Sequence, residues 1–287
     1  MSIAYFLYLR DFYGLSLNIA ASPADFESQG SLFMSMVQQR TQYVKLVNQT
    51  TNRLHQYLLV VFPEGELQYF DQLLKIIRFY PTPEDILKSQ GLKKIDGITD
   101  EERHSILTLA KTTVGVPGTY YRWLIRDLCI QRLEAQSKIK YLSNLLLKEV
   151  NKHPYGEILL SFPGIGGVIS ATLIGIIKDI NYWPDKRNLK KMLGVYGREY
   201  ISGASPQKRR PGKGGNRIGK KVLFQACKAC LRKNVAPNDF RDYYERQLKH
   251  NKVPFKAIAS TCGKMAEIVY HCLKTGEKYQ YLGKYQY

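Results

Sequence analysis

The sequence is short of acidic residues. It holds 24 Asp and Glu against 43 Lys and Arg, which gives a formal net charge of +19 over 287 residues. A charge this large repels itself unless a polyanion is present, so it favours DNA, RNA or an anionic membrane as the partner. Residues 153–287 hold 25 basic and 9 acidic residues, whereas residues 1–152 hold 18 and 15. This asymmetry predicts a domain boundary near residue 152.

Long apolar runs are also lacking. No stretch reaches the ~20 residues that span a bilayer, and the opening MSIAYFLYLRDFYG has neither a basic n-region nor a small-residue cleavage site. The basic residues are not arranged on an amphipathic helix, which disfavours a scaffold at a membrane surface. Apolar residues still make up 44% of the chain, enough to bury a core. We therefore expect a folded protein with no membrane partner.

Cysteine pairs are scarce. The five cysteines are odd in number and irregularly spaced, which is typical of reduced thiols. Cys227 and Cys230 form a lone CxxC, and His271 and Cys272 lie downstream without finger-like spacing. A zinc site is one interpretation. Packing of small residues on a helix face is the favoured one, so we assign no metal ligand.

Runs of alternating β-type residues are missing too, and the nearest is 195–201. We predict a mainly α fold with a long antiparallel coiled-coil region. The first helix covers 31–62 and ends at Pro63 and Gly65, and the second covers 119–151. The first helix has a 4-3-4-3 seam, with two polar positions, formed by Phe33, Val37, Arg40, Val44, Val47, Thr51, Leu54, Leu58 and Val61. Pairing within the chain and pairing between chains both fit this seam.

A glycine-rich turn opens the basic half of the chain. Phe162-Pro163-Gly164-Ile165-Gly166-Gly167 precedes an apolar helical stretch and resembles the turn of a helix-hairpin-helix module. In such a turn glycines let the backbone approach a phosphate, and N–H groups of the next helix point at it. We predict Pro163, Gly164 and Gly166 as DNA-contacting residues. A plain tight turn is the alternative.

A basic run follows between Lys186 and Lys221, with Glu199 as its only acid. Its centre, 207–217, is too rich in Gly and Pro for a regular helix and predicts a basic loop that follows a phosphate backbone. A solvated loop or a localisation-like signal is the alternative. Ser202 and Ser205 precede the loop, beside cations that could stabilise a phosphorane-like transition state. The predicted DNA-binding residues here are Lys208, Arg209, Arg210, Lys213, Asn216, Arg217 and Lys220.

Taken in order, these motifs resemble a known family. The 162–166 turn, the apolar helix, Asn188-Leu189 to Leu193-Gly194, Ser202-Gly203 and Gly215-Asn216-Arg217 are similar to the C-terminal domain of insertion-sequence 110 family transposases, also called DEDD transposases. The tail resembles that family's closing segment, through 242–246, Lys252, Pro254, 256–257 and 274–277. The resemblance covers about 155–280 closely and 30–150 loosely.

The resemblance implies a site-specific DNA recombinase. It places the nucleophilic serine at Ser202, DNA as the partner, and an oligomer formed through the coiled-coil region. It also implies Mg²⁺ on an N-terminal RuvC-like domain and, in some members, a noncoding RNA from the element. We expect a prokaryotic, cytoplasmic, nucleoid-associated protein.

The sequence departs from the family pattern at its start. Before the first long helix the only acids are Asp11, Asp25 and Glu27, and none stands in a family context, so no Mg²⁺ ligand is assigned. We expect a truncated or mis-started transposase, divided into a remnant (1–30), a helical coiled-coil region (31–152) and a DNA-binding and serine domain (153–287). A non-catalytic DNA- or RNA-binding remnant is the alternative function.

Overall fold

The computed structural model describes residues 23–89, 92, 95–198, 210–211, 214–250 and 253–283. Over these residues the fold is mainly α, as predicted, and the only strands are one antiparallel pair of two-residue segments. The elements in chain order are α1 (Pro23–Val61), α2 (Pro63–Ile76), α3 (Pro83–Lys88), α4 (Asp100–Thr112), α5 (Arg122–Lys152), α6 (Gly156–Leu160), α7 (Gly167–Ile177), a 3₁₀ turn (Ile180–Tyr182), α8 (Lys186–Met192), β1 (Gly197–Arg198), β2 (Arg210–Pro211), α9 (Arg217–Cys230), α10 (Asp239–Lys249) and α11 (Pro254–Thr275).

The chain forms two compact units. Gln39–Tyr141 is one, called the middle unit below. Met1–Gln38 with Leu142–Tyr287 is the other, called the terminal unit. Helices α1 and α5 each contribute to both, so this division differs from the predicted functional boundaries at 30 and 152. Those boundaries stay predictions.

In the middle unit, α1 and α5 are antiparallel neighbours. Arg132 Nε donates to Thr51 Oγ1 at 3.0 Å, and Lys138 Nζ lies 5.3 Å from the Tyr43 ring centroid. One of the two polar seam positions of α1 is therefore paired with an α5 side chain. Leu54, Leu58 and Val61 at the end of the seam are buried with α5 residues, whereas Val44 and Val47 are only half-buried. The coiled-coil interpretation itself stays a prediction.

Local signals set several helix boundaries in the middle unit. Thr99 and Glu102 cap α4 reciprocally, because Glu102 N donates to Thr99 Oγ1 at 3.2 Å and Thr99 N donates to Glu102 Oε2 at 2.8 Å. A Thr followed three residues later by a Glu is the sequence signature of this cap. The first long helix ends at Val61, before Pro63, as expected. Gly65 does not end a helix, since it lies inside α2, where a Cβ would meet the Phe62 ring at 2.3 Å.

The terminal unit is built around α7. Every residue from Ser170 to Ile177 is buried, so this helix is covered on all sides, as is typical of a central helix. Helices α9 and α11 pack on each other and share a core with α7, and α8 and α10 pack on α11. The segment after α11 also contributes to this core, because the Tyr279 ring lies 5.0 Å from Phe162 and 5.3 Å from Phe240 between centroids.

Candidate nucleic-acid interface

The glycine-rich turn between α6 and α7 is packed against α9 on one side. Gly164 has φ +75°, and a Cβ there would lie 2.8 Å from Ala229 Cβ and 2.9 Å from Cys230 N. The Cys230 thiol donates to the Pro163 carbonyl at 2.6 Å. Glycine is needed at 164 because the backbone turns left-handed and touches α9. Pro163 and Gly164 thus have a packing role, and their predicted DNA contact stays a prediction.

Gly166 differs from its neighbours in the turn. It precedes the first residue of α7, it is exposed, and a Cβ added to it would meet nothing within 4 Å. Of the three predicted contacts in the turn, Gly166 is therefore the one around which a phosphate has room to approach the backbone.

The end of the basic segment is fixed to the turn after α8. Asn216 N donates to Met192 O at 2.6 Å. Gly215 has φ +92°, and a Cβ there would lie 2.4 Å from Gly194 Cα and 2.7 Å from Lys191 O. The chain passes so close to 191–194 that only glycine fits at 215. This contact positions the start of α9 relative to α8.

Asn216 is the N-cap of α9. Its Oδ1 accepts from Ile218 N at 2.8 Å and from Gly219 N at 3.1 Å, which satisfies two donors that the helix leaves open. The side-chain oxygen is thereby engaged in holding the helix start. We assign Asn216 a structural role, and its predicted contact with DNA stays a prediction.

Five of the other predicted residues lie either in a strand or outside the described residues. Arg210 lies in β2, where it pairs with Arg198 of β1, and Pro211 pairs with Gly197. β1 lies within 195–201, the stretch of the sequence nearest to an alternating β pattern. Ser202, Lys208, Arg209 and Lys213 lie outside the described residues. In sequence, Ser202, Lys208 and Arg209 lie between β1 and β2, and Lys213 lies between β2 and α9.

An exposed cationic face on α9 brings two predicted residues together. Arg217 and Lys220 are exposed, as is Lys221 beside them. They line a concave surface with Phe224 and with Phe255 of α11. The two phenylalanines were not predicted. In the sequence, both are apolar residues with basic neighbours, which is the one feature that could have drawn attention to them. Phe255 is distant from α9 in sequence, and only the fold brings it there.

Not every cation near this face is available to a ligand. Lys190 of α8 donates to Glu267 of α11 at 2.7 Å. Burial raises the pKa of the Glu267 carboxyl, but the hydrogen bond and charge of Lys190, with Lys264 and Lys186 nearby, outweigh burial and hold that pKa below its usual range. Lys190 therefore ties α8 to α11.

The cysteines of the lone CxxC are core residues. Cys227 and Cys230 are buried, and Cys227 Sγ lies 3.8 Å from Met265 Sδ. A hydrogen bond with Cys262 and burial raise the pKa of the Cys227 thiol, and burial raises that of Cys230 to about 12. Over the part of the chain that the structure describes, no group of three or more His, Cys, Asp or Glu side chains could hold a metal ion.

Residues 156–245 match the model of the Transposase IS116/IS110/IS902 family. Over this range the chain is similar to the transposase domain of that family. The matched range begins at α6 and ends within α10, so it contains the glycine-rich turn, α7, α8, the basic segment and the cationic face of α9.

A relative from Streptomyces coelicolor, described as an insertion element IS110 uncharacterized 43.6 kDa protein, is 27% identical over 176 residues. The match covers 60% of this chain and 42% of the relative, so the chain spans less than half the length of that protein. Phe255 lies beyond the transposase domain as matched. Among the described helices none is long and apolar enough to cross a membrane.

Proposed function

We propose that the chain binds DNA through the basic surface of its terminal unit and takes part in cutting and rejoining it, with Ser202 as the nucleophile. The observation that carries this proposal is the match to a transposase family over 156–245. The segment from Gly214 to Asn238 supports it, because this segment has exposed cations on α9 and no acid. The residues proposed to contact DNA are Gly166, Lys208, Arg209, Arg210, Lys213, Arg217 and Lys220.

The proposed chemistry is an exchange at phosphorus. The Ser202 oxygen attacks a DNA phosphate, an Oγ–P bond forms, and the bond from phosphorus to one sugar oxygen breaks. The serine proton leaves to a base and the sugar oxygen departs as a hydroxyl. Arg and Lys side chains near the phosphate stabilise the extra negative charge of the transition state. A second attack by a sugar hydroxyl reverses these bonds and rejoins a strand.

Mg²⁺ is expected from the family, where it would stabilise charge on the phosphate. The described residues offer no donor set that fits it, so we derive no step through a metal. A second candidate function is binding of DNA or RNA without catalysis, for which the exposed cations of α9 are sufficient. An oligomer through α1 and α5 and an RNA from the element also remain proposals.

The catalytic proposal is tested with duplex DNA that carries the ends of the element. We expect wild-type protein to form a covalent DNA adduct that survives denaturing electrophoresis, and Ser202→Ala to lose the adduct while its Kd for DNA stays unchanged. If wild type forms no adduct, even with a full-length relative added, the assignment of Ser202 as nucleophile is wrong and binding without catalysis is the better description.

The DNA-binding proposal is tested by salt. We expect log K to fall linearly with log salt, and Arg217→Ala or Lys220→Ala each to reduce the slope by roughly 0.9 per lost phosphate contact. Lys140→Ala is the matched control, because Lys140 is an equally exposed lysine on α5 in the middle unit. Binding that does not respond to salt would contradict both candidate functions.

A further inference from the structure

The concave surface beside the start of α9 combines cations with exposed aromatic area. It encloses about 600 Å³ and is lined by Gly214, Arg217, Lys220 and Lys221 together with Phe224 and Phe255. Phe255 is 69% exposed, so its ring is accessible to a ligand. The surface therefore places an accessible aromatic ring next to exposed cations.

The two phenylalanine rings differ in how deeply they are buried. Phe224 on α9 is half-buried and packs against the core. Phe255, in the first turn of α11, stands 6.2 Å from it between centroids at an interplanar angle of 48°. Phe224 thus supports Phe255 from one side, and much of the Phe255 ring remains accessible to a ligand.

The charge around the rings has one sign. Arg217, Lys220 and Lys221 are exposed, and Lys228 Nζ lies 5.8 Å from the Phe224 ring centroid. No Asp or Glu occurs in 214–238 or in 253–266. A ligand that complements this surface must carry several negative charges and a flat apolar face. Nucleic acid with accessible bases satisfies both requirements.

We propose that this surface binds unpaired DNA, with phosphates on Arg217, Lys220 and Lys221 and a base stacked on Phe255. In a duplex both faces of each base are already covered by neighbouring bases, so a side chain cannot stack on them. The surface should therefore favour a single strand, or a strand opened during recombination, over a closed duplex. This inference rests on the proposed DNA binding and specifies which form of DNA this part of the site recognises.

The test compares a single-stranded oligonucleotide of about 12 nucleotides, containing one 2-aminopurine, with its duplex. We expect the wild type to bind the single strand and quench the 2-aminopurine fluorescence by stacking. Phe255→Ala should weaken single-strand binding roughly tenfold, abolish the quenching and leave duplex binding unchanged. Phe255→Trp should restore both signals, whereas Phe255→Leu, which keeps apolar bulk without an aromatic face, should not.

Tyr182→Ala is the matched control, because Tyr182 is a 51% exposed aromatic of the same unit and should leave both signals unchanged. Circular dichroism checks that each variant is folded. Equal loss of single-strand and duplex binding in Phe255→Ala, or unchanged quenching, would overturn the inference. So would a change in oligomeric state without loss of binding, since the surface would then contact a second copy of the chain.

The two proposals fail in distinguishable ways. Salt-dependent duplex binding without any preference for the single strand would contradict the inference of unpaired-DNA binding and would leave the proposed DNA binding intact. If neither form of DNA binds, the proposed DNA binding fails as well.

Discussion

His153 lies in the core of the terminal unit, directly after the end of α5. Its ring meets Phe33 of α1 edge-on, with centroids 6.0 Å apart, and its Nδ1 accepts from Tyr155 N at 3.1 Å. Burial disfavours the charged imidazolium and lowers the pKa of His153 from 6.5 to about 4. The folded protein therefore holds this histidine neutral at physiological pH.

This shift predicts a pH-dependent stability. The unfolded chain takes up a proton on His153 below pH 6.5, and the folded chain does so only near pH 4. The stabilisation is thus complete above pH 6.5 and is lost as the pH falls toward 4, by about 3 kcal/mol. Urea unfolding at several pH values measures this loss.

His153→Asn isolates the contribution of the histidine, because an asparagine oxygen can accept from the same N–H two residues on but does not titrate. We expect the variant to be less stable at neutral pH, since it fills less of the core, and to lose less stability between pH 6.5 and 4. Parallel stability curves for the two proteins would contradict the burial of a neutral His153.

Single-residue roles were the hardest to predict from sequence. The sequence marks Pro163, Gly164 and Asn216 as special, but their positions against α9 and at its N-cap depend on the packing of distant elements. Phe255, by contrast, is not marked as special by the sequence. Nothing local distinguishes an exposed phenylalanine from a core one, and only the position of α11 beside α9 places it on the cationic surface.

At the level of elements, the junction between α8 and α9 depends on two glycines that touch through their backbones. Gly194 and Gly215 both have positive φ, and the Gly215 hydrogens face Gly194 Cα and Lys191 O. Any side chain at 215 would push α9 away from the 191–194 turn. The exposed Arg217 and Lys220 would move with it.

Gly215→Ala therefore tests the junction. The left-handed backbone alone costs an alanine about 1–2 kcal/mol, and the steric overlap adds about 1–3 kcal/mol. Gly276→Ala is the matched control, since Gly276 has φ +78° but no atom within 4 Å of an added Cβ. We expect urea unfolding to show a clearly larger loss of stability for Gly215→Ala, with weaker DNA binding. Equal losses would show that the close approach is unimportant.

Long elements with strong local signals were predictable. The 4-3 spacing locates α1 from residue 31 onward, although the helix begins earlier, at Pro23, and a Thr followed three residues later by Glu marks the start of α4. Gly65 misleads because glycine usually breaks helices, whereas here it is required by contact with Phe62. The β1–β2 pair was beyond sequence reasoning, since two-residue strands have no periodicity to detect.

For the whole molecule, counting charges showed that the basic excess lies in 153–287, and these residues all belong to the terminal unit. It did not predict that α1 and α5 each contribute to both compact units. Dividing the chain by composition places each residue in the same domain as its neighbours in sequence. A long helix can instead bury its two ends in different cores, as α1 does with Phe33 in one and Leu54 in the other.

The five buried cysteines have a consequence for how the chain opens. A thiol reacts as the thiolate, and burial raises the pKa of Cys129 and Cys272 as it does for Cys230. Alkylation of these thiols therefore requires local or global unfolding of the unit that buries them. Cys129 belongs to the middle unit and the other four cysteines to the terminal unit. Timed alkylation followed by mass spectrometry would thus measure, without any engineered label, how fast each unit exposes its interior.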